Sequence, residues 1–187
     1  MKFIHVSDLH LGKRVHEYSM IDDQRHILSE IVRITAESCA DAVFIAGDVY
    51  DRSVPNVEAV ELFDEFLTRL AGDGRAVFVI GGNHDSGERL QFGKKLMSSR
   101  RVYFAGAYDG SLPCEHIQDA YGEVNVYMLP FVRPAVVNSL LGTQTSSYDE
   151  CVRAAIDAAK TDKTARNVLI AHQFVTAAGI SPDRSDS

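Results

Sequence analysis

Four short segments of the sequence place side chains that can bind metal directly after runs of apolar residues. These side chains are Asp8 and His10 in SDLH, Asp48 in GDVYD, Asn83 in GGNHD and His172 in AH. Carboxylate, imidazole and amide ligands without a thiolate favour Mn, Fe or Zn over calcium or a soft metal. The residue types therefore suit divalent cations.

The spacing of these residues suits two ions. Asp8 and His10 are two positions apart, so one turning segment can direct both at one ion. Asp48 has two carboxylate oxygens and can bridge two ions, while Asn83 and His172 offer an oxygen and an imidazole to the second. Two ions roughly 3.5–4 Å apart would lower the pKa of a bridging water and hold a phosphoryl group for in-line attack. The pattern predicts phosphoester hydrolysis.

Each segment also has an ordinary structural interpretation. Gly-Asp and Gly-Asn after a strand are good turn sequences, Asp-x-His occurs often by chance, and a histidine after VLIA can be a hydrogen-bonded core residue. All four segments, however, lie at strand ends in one chain. This combination favours a shared functional site over four unrelated structural residues.

Three further polar residues have different expected roles. If Asn83 points at a metal ion, the next side chain turns elsewhere, so His84 is a candidate general acid or a cation that stabilises charge on the phosphate. Asp85, or another acid, would orient this imidazole and favour its protonated form. Asp51 would hold the GDVYD loop or a ligand imidazole, although a turn or helix-entry aspartate is equally compatible.

Alternating strands and helices must position these residues. Helices are predicted from Asp22 to Ala40, over 55–71 and over 148–160, and β-branched or aromatic apolar runs predict buried strands at 2–7, 42–46, 76–80 and 168–171. This order predicts an α/β domain with largely parallel strands, whose carboxyl ends share one edge where ligands gather. We therefore expect the candidate ligands to converge.

Two further patterns predict how the remaining elements pack. Short runs at 102–107, 114–119 and 124–130 predict a meander or hairpin in a second sheet. The 55–71 helix is predicted from apolar residues at helical spacing; they are Val57, Val60, Phe63, Phe66, Leu67 and Leu70.

The composition sets limits on the class of protein. The 187 residues, 45% of them hydrophobic, suit one globular domain, and 19 basic against 26 acidic residues give a net charge of −7. This charge argues mildly against broad adhesion to nucleic acid without excluding it, because bound cations can neutralise clustered acids. No apolar stretch approaches the roughly 20 residues of a membrane span, so we expect a cytoplasmic protein. The three separated cysteines predict neither disulfides nor a zinc site.

The amino-acid sequences of these segments resemble the motifs of a known family. SDLH, GDVYD, GGNHD and AH are similar to the first four signature blocks of the calcineurin-like metallophosphoesterases. The longer stretches resemble the SbcD family of bacterial DNA-repair exonuclease subunits; they are DLHLGK (8–13), FIAGDVYDRSVPN (44–56), GNHDSGERLQFG (82–93), LPFVRP (129–134) and LIAHQFV (169–175). The resemblance covers essentially the whole chain. It implies an α/β sandwich in which helices flank two packed mixed β-sheets.

The resemblance also implies a site and an activity. It makes His84 the catalytic histidine, with Asp8, His10 and Asp48 as ligands of one ion and Asp48, Asn83 and His172 as ligands of the other. It implies Mn²⁺ as the metal, 3′→5′ exonuclease action on duplex DNA, and endonuclease action on single strands or hairpins. A homodimer and an SbcC-type SMC-like ATPase partner are implied as well.

The sequence departs from the family pattern at its C-terminal side. A fifth block, Gly-His-x-His, supplies two more ligands in the family, and the sequence ends before it. We therefore expect residues 1–187 to be the N-terminal part of a nuclease domain, without the last metal-binding motif and the capping domain, and the tail ISPDRSDS to be a loop. On these residues alone we expect weak or absent metal binding and little activity.

Three functions stay open on the sequence. A DNA nuclease would contact DNA through Lys13, Arg52, Arg89 and Lys94, although ordinary solvated charge explains each single position better. A phosphomonoesterase or cyclic-nucleotide phosphodiesterase would use the same metal residues. A non-catalytic scaffold would dimerise through the helices at 55–71 and 87–98 and bind an ATPase.

Overall fold

The computed structural model describes residues 1–176. Within them the strands are β1 (Phe3–Val6), β2 (Arg14–Val15), β3 (Tyr18–Ser19), β4 (Ala42–Ala46), β5 (Ala76–Ile80), β6 (Val102–Ala105), β7 (Cys114–Asp119), β8 (Gly122–Leu129) and β9 (Arg166–Ala171). The helices are α1 (Ile21–Glu37), α2 (Val57–Ala71), α3 (Gly87–Leu90), α4 (Lys94–Met97), α5 (Pro134–Leu141) and α6 (Tyr148–Ala158), and a 3-10 helix spans Ser98–Arg100. The tail at 180–187, expected to be a loop, lies outside the described residues.

The strands form two main sheets and a hairpin. The first sheet has the order β1-β4-β5-β6 and is parallel throughout the described part of the chain. The second sheet has the order β7-β8-β9, with β7 antiparallel and β9 parallel to β8. Every residue of β4 and β5 is buried, because these central strands are covered on both faces.

The sheets and helices are stacked in four layers. α1 and α2 cover one face of the first sheet, where Phe66 packs in the same cluster as Val79. The opposite face packs on the second sheet, with Phe78 and Met128 in a shared core. α5 and α6 cover the outer face of the second sheet around Leu129. This arrangement confirms the expected sandwich of helices flanking two packed sheets.

Two strands lie in different sheets from those that the sequence predicts. The run at 102–107 was expected in the second sheet, but β6 pairs in parallel with β5 and closes the first. The run at 168–171 was expected beside the other parallel strands, but β9 pairs with β8 in the second sheet. An apolar run shows that both faces of a strand are covered, but it does not show which sheet contains the strand. The predicted hairpin is confirmed as β7 and β8.

One helix prediction also needs correction, and the apolar face of α2 is only partly buried. Val57 and Val60 of α2 are 71% and 44% exposed, whereas the helix buries its face around Phe63 and Phe66. At about 100° per residue, the two valines lie at or beyond the margin of the buried face. The segment at 87–98 is not one helix, because α3 and α4 are separated by a turn that places Gly93 at a φ of 77°. None of the helices within residues 1–176 combines the length and apolar character that a membrane crossing requires.

A buried carboxylate links the N-terminus to the second sheet. Asp119, at the end of β7, has an 8% exposed side chain and accepts hydrogen bonds from the Met1 ammonium and from the Tyr121 backbone N–H. Arg166 donates to both carboxylate oxygens, each at 2.7 Å. This bidentate pairing with Arg166 holds the pKa of Asp119 well below its usual range.

We expect Asp119→Asn to lower the melting temperature by a few degrees at pH 7, because Arg166 and the Met1 ammonium lose the charge that they pair with. The folded-state pKa is lowered, so the stabilisation is fully present above the ordinary aspartate pKa of about 3.9 and declines as the pH falls below it toward the lowered folded-state pKa. Thermal melts at pH 7 and pH 3 should show the difference between variant and unaltered protein shrinking in acid. Glu37→Gln, which removes an exposed pair with Arg33, should change little. Equal melting of Asp119→Asn and unaltered protein at pH 7 would contradict the prediction.

Candidate metal centre

The four polar segments meet at the carboxyl ends of β1, β4, β5 and β9. Backbone hydrogen bonds join the first two: Asp8 N–H donates to the Gly47 carbonyl at 3.1 Å, and His10 N–H donates to the Asp48 carbonyl at 3.0 Å. β9 reaches the same place from the other sheet, so the site lies at the edge between the two sheets rather than along one.

Asp48 lies at the centre of the group. Only 3% of this residue is exposed, and its Oδ2 is 3.7 Å from His10 Nε2, 4.0 Å from His84 Nε2 and 3.5 Å from His172 Nε2. Asp8 Oδ1 is 3.9 Å from His10 Nε2. Candidate ligand atoms lie within 4.8 Å of one another in two sets that share Asp48, one with His10 and His84 and one with Asp8 and His172. These five residues are called the Asp48 cluster below.

Backbone carbonyls fix two of the three imidazoles. His84 Nδ1 lies 3.0 Å from the Asp51 carbonyl and His172 Nδ1 lies 2.7 Å from the Ala46 carbonyl. An Nδ1–H that donates to a carbonyl leaves the Nε2 lone pair free, and Nε2 is the atom that faces Asp48. No lysine or arginine within residues 1–176 forms an ion pair with this carboxylate. A buried carboxylate surrounded by imidazole lone pairs fits a divalent cation.

The backbone around the cluster is strained. Asp8, His10 and Asp48 have φ values of 57°, 44° and 50°, in the left-handed region that side chains rarely adopt. Such conformations cost about 1–3 kcal/mol each and persist mainly where function requires them. The strain at three candidate ligands supports a functional role for this edge of the sheets.

A glycine leaves room for the central carboxylate. A Cβ atom at Gly82 would lie 2.1 Å from Asp48 Oδ1 and 2.3 Å from the Asp48 backbone nitrogen. These distances are far below any real carbon contact, so a side chain at position 82 would displace Asp48.

We therefore predict that Gly82→Ala weakens Mn²⁺ binding by about tenfold or more in the full-length protein, by moving Asp48. Titration calorimetry measures the effect. Gly72→Ala is the matched control, because its Cβ would meet nothing closer than 3.5 Å and should leave the affinity unchanged. Unaltered affinity in a folded Gly82→Ala protein would show that Asp48 tolerates the shift.

The predicted ligand Asn83 lies in the wall of an open cavity. The cavity has a volume of about 460 Å³, and Asp8, His172 and Phe131 also line it. Asn83 itself is exposed. The structure therefore gathers all five predicted ligands at one site, with Asn83 on the side of Asp8 and His172.

Asp85 does not hold the His84 imidazole, as the sequence suggested that it could. Its Oδ2 accepts from the N–H groups of Val49 (3.1 Å) and Gly82 (2.9 Å), and its Oδ1 accepts from Tyr50 N–H (3.0 Å). The carboxylate points into the backbone of the loop after β4, away from the neighbouring imidazole. Asp85 thus joins the GDVYD and GGNHD loops to each other.

Asp51 and the candidate DNA-binding residues lie around the cluster. Asp51 Oδ1 is 3.8 Å from His10 Nδ1, and its Oδ2 is 3.8 Å from Arg52 Nε. The four basic residues proposed to contact DNA are all exposed; they are Lys13, Arg52, Arg89 and Lys94. Lys13 follows the SDLH loop and Arg52 belongs to the GDVYD loop, whereas Arg89 and Lys94 lie in α3 and α4.

The sequence analysis missed one residue at the site. Gln24 of α1 hydrogen-bonds to the backbone of the SDLH loop. It lies on a helix and precedes no motif, so neither periodicity nor spacing distinguishes it from an ordinary polar helix residue.

Comparison with known proteins identifies the family. A family model described as calcineurin-like phosphoesterase matches residues 1–183. The chain belongs to this family. The curated SbcD subunit of the nuclease SbcCD from Staphylococcus epidermidis is 30% identical over 178 residues, which cover 92% of the chain and 46% of that relative. The protein of the same name from Staphylococcus saprophyticus is 33% identical over 142 residues, which cover 75% of the chain and 36% of the relative.

Family membership confirms the resemblance of the motifs and the coarse chemistry that the sequence predicts. It supports a phosphoester hydrolase and implies divalent metal ions, for which the Asp48 cluster provides candidate ligands. The chain spans less than half the length of the curated relatives it matches.

Proposed function

We propose that this protein is the nuclease subunit of a DNA-processing complex and hydrolyses phosphodiester bonds in DNA. Its activities would be 3′→5′ exonuclease action on duplex ends and endonuclease action on single strands or hairpins. The observation that carries the proposal is a buried carboxylate, Asp48, faced by three imidazole Nε2 atoms at 3.5–4.0 Å. The name of the relatives, a nuclease subunit, supports a nucleic acid as the substrate.

The proposed metal ligands form two overlapping sets. Asp8, His10 and Asp48 would hold one ion, and Asp48, Asn83 and His172 would hold the other. Mixed oxygen and nitrogen ligands suit Mn, Fe or Zn, and the resemblance of the motifs to the SbcD family favours Mn²⁺ among them. Divalent ions bound here would act as Lewis acids that neutralise phosphate charge and activate water at neutral pH.

His84 is the proposed general acid. The Asp51 carbonyl accepts from its Nδ1–H, so the ring is held while 45% of the side chain remains exposed to an incoming substrate. In the protonated form, Nε2–H can donate to the leaving oxygen of the phosphodiester. Asp85 supports this chemistry indirectly, because its three backbone hydrogen bonds fix the loops that carry Asp48 and His84.

Exposed cations next to the site are proposed to contact the DNA backbone. Lys13 and Arg52 lie on loops that also carry candidate ligands, and Arg89 and Lys94 follow the GGNHD loop. Local positive charge of this kind, together with bound cations, would offset the net charge of −7. The contacts would position the strand without reading its sequence.

Exposed apolar side chains support a homodimer. The start of α2 and the α3–α4 region present large side chains to solvent, namely Val54, Val57, Val60, Phe92 and Leu96, which are 63%, 71%, 44%, 86% and 80% exposed. Exposed apolar groups of this size often mark protein interfaces. We further propose an SbcC-type SMC-like ATPase as partner, since the relatives are named as one subunit of SbcCD.

The proposal is tested with the full-length protein on end-labelled duplex DNA, hairpin DNA, p-nitrophenyl phosphate and a cyclic nucleotide. Each substrate is incubated with Mn²⁺, with Mg²⁺ and with a chelator. We expect Mn²⁺-dependent shortening of the duplex from its 3′ ends and opening of the hairpin. Turnover of the small esters alone would favour a small-molecule phosphoesterase, and no turnover of any substrate would favour a non-catalytic scaffold.

A further inference from the structure

Gln24 makes three hydrogen bonds to the backbone of the loop that carries Asp8 and His10. Its Oε1 accepts from Gly12 N–H at 3.0 Å. Its Nε2 donates to the carbonyls of His10 at 2.8 Å and Leu9 at 3.2 Å. The half-buried side chain thus satisfies both donors and acceptors of one tight loop.

This loop has an unfavourable backbone conformation. Asp8 and His10 lie in the left-handed region at φ values of 57° and 44°, and Gly12 follows at 87°. Such a segment keeps its shape only if surrounding contacts determine it. One side of the loop bonds to the loop after β4, through Asp8, His10 and Leu11. Gln24 holds the other side.

The position of the His10 imidazole depends on this backbone more than that of the other two imidazoles. His84 and His172 are each held at Nδ1 by a carbonyl, whereas His10 Nδ1 is buried without a hydrogen-bond partner among the described residues. An oxygen of Asp51 lies 3.8 Å from this Nδ1, too far for a hydrogen bond. Fixing the backbone of residue 10 is therefore the main means of fixing its ring.

We infer that Gln24 is a positioning residue of the metal centre, which holds Asp8 and His10 in the geometry that binds the first ion. The inference rests on the proposed function, because it assigns Gln24 to the same site. Its helix provides a rigid base, since Leu28 and Thr35 of α1 are 3% and 0% exposed. The role needs a side chain that accepts through one atom and donates through another, which an amide does and a carboxylate does not.

The test compares Mn²⁺ affinity in the full-length protein, followed by the electron paramagnetic resonance signal of free Mn²⁺. Gln24→Met keeps the length of the side chain and removes all three hydrogen bonds, and Gln24→Glu keeps only the acceptor for Gly12 N–H. We expect the methionine variant to bind Mn²⁺ about 10- to 100-fold more weakly, the range found when groups that orient metal ligands are removed. The glutamate variant should also bind more weakly, because its oxygen faces two carbonyls.

Asn138→Ala is the matched control. The Asn138 amide on α5 also hydrogen-bonds to a loop, through Thr143 and Thr145, but this loop joins α5 to α6, the helices that cover the outer face of the second sheet. The control should lower thermal stability without changing Mn²⁺ affinity. If it weakens Mn²⁺ binding as much as Gln24→Met does, general destabilisation explains both and the inference is wrong.

A second readout separates positioning from general damage. If Gln24 acts through the metal ligands, excess Mn²⁺ should restore most of the kcat of Gln24→Met with little change in the KM for DNA. Equal Mn²⁺ affinity of Gln24→Met and unaltered protein would overturn the inference alone. Absence of Mn²⁺ binding by the unaltered protein would overturn the proposed metal centre together with it.

Discussion

Full-length protein carrying His84→Ala should cleave end-labelled duplex DNA with a kcat about 10²- to 10⁴-fold lower than that of unaltered protein, while its Mn²⁺ affinity stays the same. The range is the usual contribution of a positioned general acid. His84 Nδ1 is occupied by the Asp51 carbonyl, and 45% of the side chain is exposed and accessible to a substrate. Single-turnover cleavage and calorimetric titration with Mn²⁺ measure the two quantities.

The affinity measurement decides between two roles for His84. Its Nε2 lies 4.0 Å from Asp48 Oδ2, within the same group of candidate ligand atoms as His10. If His84 binds the ion, the alanine variant loses Mn²⁺ affinity as well as kcat, and the general-acid assignment fails. His26→Ala, which removes an exposed histidine of α1, should change neither quantity.

The convergence of the ligands could be predicted from the sequence, but the way in which it arises could not. Polar residues after apolar strands suggested one edge of one parallel sheet, and the structure does bring them together. His172, however, follows β9, which belongs to the second sheet. The sheet to which β9 belongs is set by its pairing with β8, which is distant in sequence. A local sequence pattern does not predict such a pairing. The residues still converge because the carboxyl ends of strands from both sheets meet at the same edge.

The roles of individual side chains were harder to predict than their location. Adjacency suggested that Asp85 serves His84, yet the Asp85 carboxylate accepts three backbone N–H groups instead. Gln24 reaches the SDLH loop from a helix twelve or more residues away and leaves no motif. Contacts of side chains with the backbone depend on loop conformation, which spacing does not specify.

The sequence pattern also does not predict which apolar side chains of α2 are exposed. Val57 and Val60 fit a helical repeat with the core residues, but the buried stripe is narrower than the apolar one. An apolar residue at the margin of a stripe can face either the core or a partner, and the periodicity is the same in both cases. The structure therefore separates the buried face of α2 from its exposed apolar margin, which helical spacing alone does not do.

The largest effect on the metal centre is expected from Asp48→Asn in the full-length protein. The amide keeps an oxygen that can accept His84 N–H, now 2.9 Å from Asp48 Oδ1, so the fold should be retained. The substitution removes the negative charge of the carboxylate, which three imidazole Nε2 atoms face at 3.5–4.0 Å. Both proposed ions therefore lose a ligand. We expect Mn²⁺ affinity to fall more than 100-fold, beyond the loss seen for groups that only orient ligands, and DNA cleavage to become undetectable.

The thermal stability of Asp48→Asn should change in the opposite direction when no metal is present. Asp48 is 3% exposed and pairs with no lysine or arginine of residues 1–176, so its charge is costly to bury and the neutral amide should melt at the same or a higher temperature in a chelator. Unaltered protein should gain melting temperature on addition of Mn²⁺, because an ion that binds only the folded state stabilises it, whereas the variant should gain none. Asp109→Asn, at an exposed aspartate that bonds to Ser111, should behave as unaltered protein. A full Mn²⁺-induced shift in Asp48→Asn would mean that Asp48 is not the shared ligand, and the two-ion arrangement around it would have to be abandoned.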